Sequence, residues 1–216
     1  MSIMGKPKKI MIEYISGDVD GIAILHDNLS VVTAYVIPRK KYREALTISK
    51  EKFKELTNPG IYYLVSTIQK GSPVYIGQTR NGIARLADHL AKKDYWTKAI
   101  MFLAPIKRFS LDVIEGLEQD AITEAKTVDY YDVQTKVKGK LAMDKNDFDG
   151  FYADIEFYMT MLGYKVSGEK NNNIDVQTCI STIGKLHLSS DKVHATGNVT
   201  EAGFVVYKAS SIAEKN

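Results

Sequence analysis

The sequence predicts an α+β fold: a hairpin and a third strand at mid-chain with helices around them, a small β extension before them and a β-containing tail after them. Three observations predict it. Gly60–Val65 and Val74–Gly77 are compact apolar segments joined by the polar turn Gln69–Pro73, the pattern of a β-hairpin. Ile83, Leu86 and Leu90, and further on Leu111, Ile114, Leu117, Ala121 and Ile122, recur at amphipathic-helix spacing, with the strand-like Ala99–Leu103 between the two sets. Short segments rich in β-branched and aromatic residues occupy both ends of the chain.

In chain order, Lys9–Tyr14, Gly21–Leu25 and Val31–Ile37 read as strands, with Gly17, Asp18, Asp20 and Gly21 turning the first into the second. A basic stretch follows Pro38. Ser49–Leu56 then reads as a short helix with Phe53 and Leu56 on one side, stopped by Asn58-Pro59-Gly60. After the hairpin, Asn81–Lys92 reads as helical, and Arg85 and His89, one turn apart, share a face beside the apolar stripe. Ser110 is a good N-cap for Leu111–Lys126 because its hydroxyl can accept from an otherwise orphaned first-turn N–H. Asn146–Gly163 reads as a further helix burying Phe148, Phe151, Ile155, Tyr158, Met159 and Leu162. The polar run Gly168–Asn173 is the candidate boundary. Segments Ile174–Ile180, Leu186–Leu188, His194–Thr196 and Gly203–Tyr207 beyond it suggest a small β tail. The expected organisation is an N-terminal β extension over 1–57, a central domain over 58–140, a helical connector over 141–167 and a small C-terminal domain over 168–216.

A chain of 216 residues with 44% hydrophobic content can bury one good core, or one core and a small appendage. Apolar runs such as Ala99–Pro105 fall well short of the roughly 20 residues a membrane span needs, so no membrane partner is expected. Met1–Lys9 is basic but lacks the apolar core of a signal peptide, which places the chain in the cytoplasm as an expectation. The single cysteine, Cys179, can form no internal disulfide and builds no thiolate metal site alone. Net charge is +3, too mild to imply a polyanion by itself, although basic residues bunch at Lys6–Lys9, Arg39–Arg43, Lys92-Lys93 and Lys136–Lys140.

The middle segment carries residue types suited to phosphodiester chemistry. That reaction needs a positioned water, a group to take its proton, positive charge on the phosphate oxygens and a stabilised leaving alkoxide. Tyr62 and Tyr75 lie on the paired strands, Arg85 offers a permanent cation whose fork matches phosphate oxygens, and Glu118 is a hard oxygen ligand suited to Mg²⁺ or Mn²⁺.

At these residues a resemblance becomes specific. Gly60-Ile61-Tyr62, twelve residues (63–74), then Tyr75-Ile76-Gly77 resembles the defining motif pair of the GIY-YIG nuclease superfamily. The order continues: Asn81–His89 resembles the helix with the family's arginine and the His or Tyr after it, Lys93–Ala99 the approach to the third strand, and Leu117–Ile122 the helix bearing the metal-binding glutamate. Landmarks such as Val36–Arg39 and Ala195–Gly197 are similar to the flanks of bacterial members with an N-terminal β extension and a small C-terminal domain.

The resemblance implies a small three-stranded antiparallel sheet flanked by helices and a metal-dependent endonuclease, with DNA rather than RNA as the expected substrate. Tyr62 and Tyr75 would position or activate water, Arg85 would stabilise the phosphate, His89 would assist, and Glu118 would bind Mg²⁺ or Mn²⁺. A phenol of ordinary pKa, about 10, is a poor base without a neighbouring cation. Lys98, Lys136, Lys138 and Trp96 are candidate nucleic-acid contacts, with Trp96 also readable as a structural anchor, and the N- or C-terminal flanks could dock a protein partner. Many members place an Asn after the glutamate helix; Tyr131–Lys136 has none, and Gln134 or Thr135 stands there instead. A nucleic-acid-binding module of the same fold with weak or absent turnover is the alternative.

Overall fold

A computed structural model describes residues 8–136, 149–168, 186–190, 193–200 and 203–206. The chain divides into two units, Met1–Lys170 and Asn171–Asn216. Among the described residues no helix is long and apolar enough to cross a membrane.

The first unit is α+β, built on strands β1 (Ile10–Tyr14), β2 (Ala23–Asp27), β3 (Thr33–Pro38), β4 (Gly60–Val65), β5 (Pro73–Thr79), β6 (Lys98–Leu103) and β7 (Asp132–Val133). They form one mixed sheet in the order β1-β2-β3-β6-β4-β5-β7, parallel only between β5 and β7. The expected small three-stranded sheet is therefore corrected. Antiparallel β6-β4-β5 is present, but β3 pairs with β6 from Thr33↔Leu103 to Pro38↔Lys98 and adds the N-terminal meander to the same sheet. The physical reason lies in β6, whose Ala99–Leu103 is buried throughout and would leave an apolar edge with unpaired backbone groups if it ended the sheet.

Side chains alternate across the pleat, and helices cover both faces. On one face, α3 (Leu111–Val128) and α4 (Asp149–Met161) pack against Ile61, Tyr63, Val65, Ile76, Ile100 and Phe102. On the other, α1 (Tyr42–Glu51), α2 (Leu86–Lys92) and the 3-10 turns Lys54–Thr57 and Gly82–Arg85 pack against Tyr62, Leu64, Met101 and Leu103. Ser110 caps α3, its hydroxyl accepting from the Val113 N–H, and Asp129 ends that helix in the left-handed region at φ 54°. The helix expected at Ser49–Leu56 starts earlier, at Tyr42. Tyr42 and Ala45 supply a buried stripe within what composition presents as a basic stretch. The second unit contains β8 (Leu186–Ser190), β9 (Val193–Thr200) and β10 (Gly203–Val206) as an antiparallel sheet in the order β10-β9-β8. Segment 174–180, with Cys179, lies outside the described residues.

Strand β4 is buried along its whole length, between β5 and β6 and between two helical layers. Its first residue is glycine because a Cβ there would stand 1.9 Å from the Phe102 carbonyl oxygen, a backbone atom that cannot swing aside. Gly60→Ala is expected to cost about 4 kcal/mol or more in urea unfolding. Gly150→Ala, in the first turn of α4 with open space around it, should instead stabilise by up to about 1 kcal/mol. Equal midpoints for the two variants would refute the close approach at residue 60.

Candidate active site

Tyr62 of β4 and Tyr75 of β5 lie on the sheet face that carries α2. Their ring centroids are 6.2 Å apart and nearly parallel, and His89 tilts against both, at 5.5 Å from Tyr62 and 5.0 Å from Tyr75. The Tyr62 hydroxyl and His89 Nε2 are hydrogen-bonded at 2.7 Å in a buried position. Gly77 makes this packing possible: it pairs with Tyr62 across the ladder, and a Cβ there would stand 2.6 Å from the Tyr62 hydroxyl and 2.9 Å from the Tyr75 ring. The two glycines of the hairpin's strands thus serve close approach, Gly60 to β6 and Gly77 to the tyrosines.

Arg85 ends the 3-10 turn that leads into α2, one helical turn before His89, and its side chain is exposed. Its Nη1 pairs with Asp88 at 2.6 Å. Both members of that pair face water, so the contact is weak. Behind it lies an open cleft of about 410 Å³ lined by Gln78, Thr79, Arg80, Asn81, Arg85 and Asp88. Glu118, on α3, is 6% exposed, and its Oε2 accepts from Gln78 Nε2 at 3.0 Å. Gln78 sits at the end of β5 and so connects the cleft to the glutamate.

Electrostatics tie the five residues together. Burial pushes the Tyr62 phenol well above its ordinary value, Tyr75 adds to the rise, Arg85 draws it down and Glu118 raises it. Tyr75 is raised by burial and then by Glu118, with Arg85 and Tyr62 opposing. Contact with the Tyr62 hydroxyl raises Arg85, and the fields of Asp88 and Tyr75 add to it, so the guanidinium stays charged. His89 is held down to about 4, first by burial and then by the positive charges of Arg85 and Lys93. The imidazole is therefore uncharged at neutral pH while both phenols keep their protons.

The nucleic-acid candidates fare differently. Trp96 is 1% exposed; Nε1 points to the His89 carbonyl at 3.5 Å and the Arg39 guanidinium covers the ring at 4.7 Å, so no face is open to a base. It is an anchor for α2. Lys98 is exposed opposite Val65, at the end of β4 remote from the cleft, and lines a separate groove with Asp20, Lys40 and Asp94. Lys136 is exposed just after Thr135, at the β5 edge, and Lys138 lies outside the described residues. Thr135 gives its hydroxyl proton to the Ile76 carbonyl at 2.7 Å and accepts from the Ile76 N–H at 2.9 Å, while Gln134 donates to Asp132. Gln134 and Thr135 are thus both engaged away from the cleft.

Two residues of the site escaped the sequence reading, and a third, Lys93, enters it only as part of a basic bunch and of the approach to the third strand. Gln78 and Arg80 belong to the polar run that directly follows Tyr75-Ile76-Gly77, and a strand ending in such a run was the available signal. Lys93 places its Nζ over the Tyr75 ring at 4.3 Å, a cation–π contact that no spacing rule announces.

Among the described residues no three His, Cys, Asp or Glu side chains are grouped as a metal site. The oxygen donors near the cleft are the Glu118 carboxylate with the Gln78 amide beside it, and the Asp88 carboxylate, which is paired with Arg85. That set fits a hard cation which keeps most of its water, as Mg²⁺ does, and does not fit a closed thiolate or imidazole centre. Comparison of the chain with known protein families, with curated proteins and with solved structures finds no match.

The depressed His89 value sets a stability window. The unfolded histidine takes its proton near 6.5 and the folded one only near 4, so the unfolded chain binds the extra proton between these values. Stability from the neutral imidazole is complete above about 6.5 and is lost as pH falls toward about 4. Urea midpoints across that interval should decline for the wild type and decline less for His89→Gln; identical slopes would rule out a buried uncharged imidazole.

Proposed function

We propose that the chain is a GIY-YIG-type, metal-dependent endonuclease that hydrolyses nucleic-acid phosphodiester bonds, with DNA as the preferred polymer. The observation that carries this reading is the Tyr62 hydroxyl on His89 Nε2, with the Arg85 cation and the Glu118 carboxylate acting on the same phenol.

In this reading a phosphate enters the cleft beside Arg85, displacing Asp88, and Arg80 adds a second positive charge at the rim. Tyr62 does not work as a phenolate, because burial keeps it protonated. Its hydroxyl is closed to solvent in this structure, so the step needs Arg85 to move onto the phosphate and admit the attacking water. Tyr62 Oη then takes a proton from that water as its own proton passes to the uncharged His89 Nε2 in contact with it. His89 is then the final proton acceptor. Tyr75 packs against the imidazole and fixes its tilt, and Lys93 above Tyr75 keeps that ring in place. Arg85 stabilises the charge that grows on the phosphate oxygens. Glu118, steadied by Gln78, would hold a Mg²⁺ or Mn²⁺ ion, which supplies charge neutralisation for the phosphate and the departing alkoxide.

One observation favours a second reading, a nucleic-acid-binding module with little turnover: Thr135 and Gln134 are both committed to other partners. The two readings separate in one experiment. Plasmid and single-stranded DNA incubated with Mg²⁺ or Mn²⁺ should be cut by the wild type. Glu118→Gln and Arg85→Ala should each lose about a hundredfold or more, and Tyr62→Phe a comparable amount. Wild-type activity in Glu118→Gln and Arg85→Ala would reject the site, and salt-dependent binding without metal-dependent cleavage would select the module.

A further inference from the structure

The sheet has two edges of different character. At one, β7 and the Thr135 hydroxyl cover β5 as far as Ile76. At the other, β1 has no neighbour beyond β2 among the described residues and exposes Met11, Ile12 and Tyr14. An open edge carrying the apolar segment Ile10-Met11-Ile12, with Met11 and Ile12 exposed and Ile10 half-buried, invites another strand.

We infer that β1 pairs with β1 of a second copy of this chain, antiparallel about a two-fold axis at Met11, so that two sheets become one. Backbone geometry and charge select this register independently. Ile15 N–H bonds to the Ile22 carbonyl across the β1-β2 ladder, so the odd-numbered residues of β1 face β2 and the N–H and C=O groups of Ile10 and Ile12 face outward. Antiparallel pairing must set outward groups against outward groups. Centring on Met11 does so: Ile10 meets Ile12 of the second copy, and each such pair exchanges both backbone bonds. Moving the axis to Ile12 also satisfies the backbone but places Glu13 against Met11 and Lys9 against Ile15.

Centred on Met11, Lys9 lies opposite Glu13 of the second copy, and Glu13 opposite its Lys9. The edge is then self-complementary in charge at both ends and apolar between them, as an isologous interface requires. The apolar surface continues off the strand. Ile12 and Tyr14 line a groove with Leu162 on the face that carries α4, and Phe157 of α4, itself 38% exposed, packs under the Lys8 ammonium. The second copy's Ile10 and Ile12 would extend that surface.

Sedimentation of the full-length chain tests the proposal, with circular dichroism confirming that each variant stays folded. The wild type should reach a dimer as concentration rises. Glu13→Lys and Lys9→Glu each turn two attractive cross-strand pairs into repulsive ones and should weaken dimerisation about tenfold or more. The double variant K9E/E13K, and an equimolar mixture of the two single variants, should both recover it. Ile12→Pro removes an outward N–H while leaving the β1-β2 ladder bonds intact and should abolish association. A wild type that remains monomeric throughout overturns the inference, and so does a dimer indifferent to Glu13→Lys or not rescued by the double variant.

Discussion

No atom can stand where a side chain at residue 77 would begin, because the Tyr62 hydroxyl and the Tyr75 ring already fill that space. The rest of the site follows from this exclusion. With Gly77 bare, the Tyr62 ring lies flat along the sheet and its hydroxyl reaches over the neighbouring strand. There it meets an imidazole brought in by α2, and Arg85 arrives one helical turn earlier on the same segment. The cluster is thereby mounted on a strand buried along its whole length.

The cluster draws on both layers of helices. Tyr62, Tyr75, Arg85 and His89 belong to the face of α1 and α2, whereas Glu118 descends from α3 on the other face. They act on one another because the covering of β5 stops at Ile76, and Gln78 beyond it binds the glutamate. Had β7 run two residues further, a paired strand would have separated the carboxylate from the phenols. The brevity of β7 is therefore as much a part of the site as any side chain in it.

The sequence made the local elements and the residues around the hairpin legible for a physical reason: a strand–turn–strand pattern and a three-four helical stripe are short-range signals. Arg85 and His89 share a face by helical periodicity alone. Long-range pairing left no such signal. Nothing in Thr33–Pro38 announces that it will lie against Lys98–Leu103, so the sheet was expected to be smaller than it is. Burial also redirected roles. Trp96 has the ring of a stacking residue, yet Arg39 and the α2 backbone close over it. Tyr62 reads as an accessible strand hydroxyl, yet it is buried, keeps its proton and is hydrogen-bonded to an uncharged imidazole.

Strand β4 carries no polar alternation: every residue from Gly60 to Val65 is buried, so hydrophobicity is satisfied equally well whichever way the strand is turned. A slip of one position would exchange Tyr62 for Tyr63, one phenol for another, at little cost in apolar burial. What forbids it is the placement of two absent side chains. Only in the native alignment do Gly60 and Gly77 fall where the Phe102 carbonyl and the Tyr62 ring leave no room. The strand is thus aligned by its vacancies, and the fidelity of the pairing rests on residues that bring no side chain of their own.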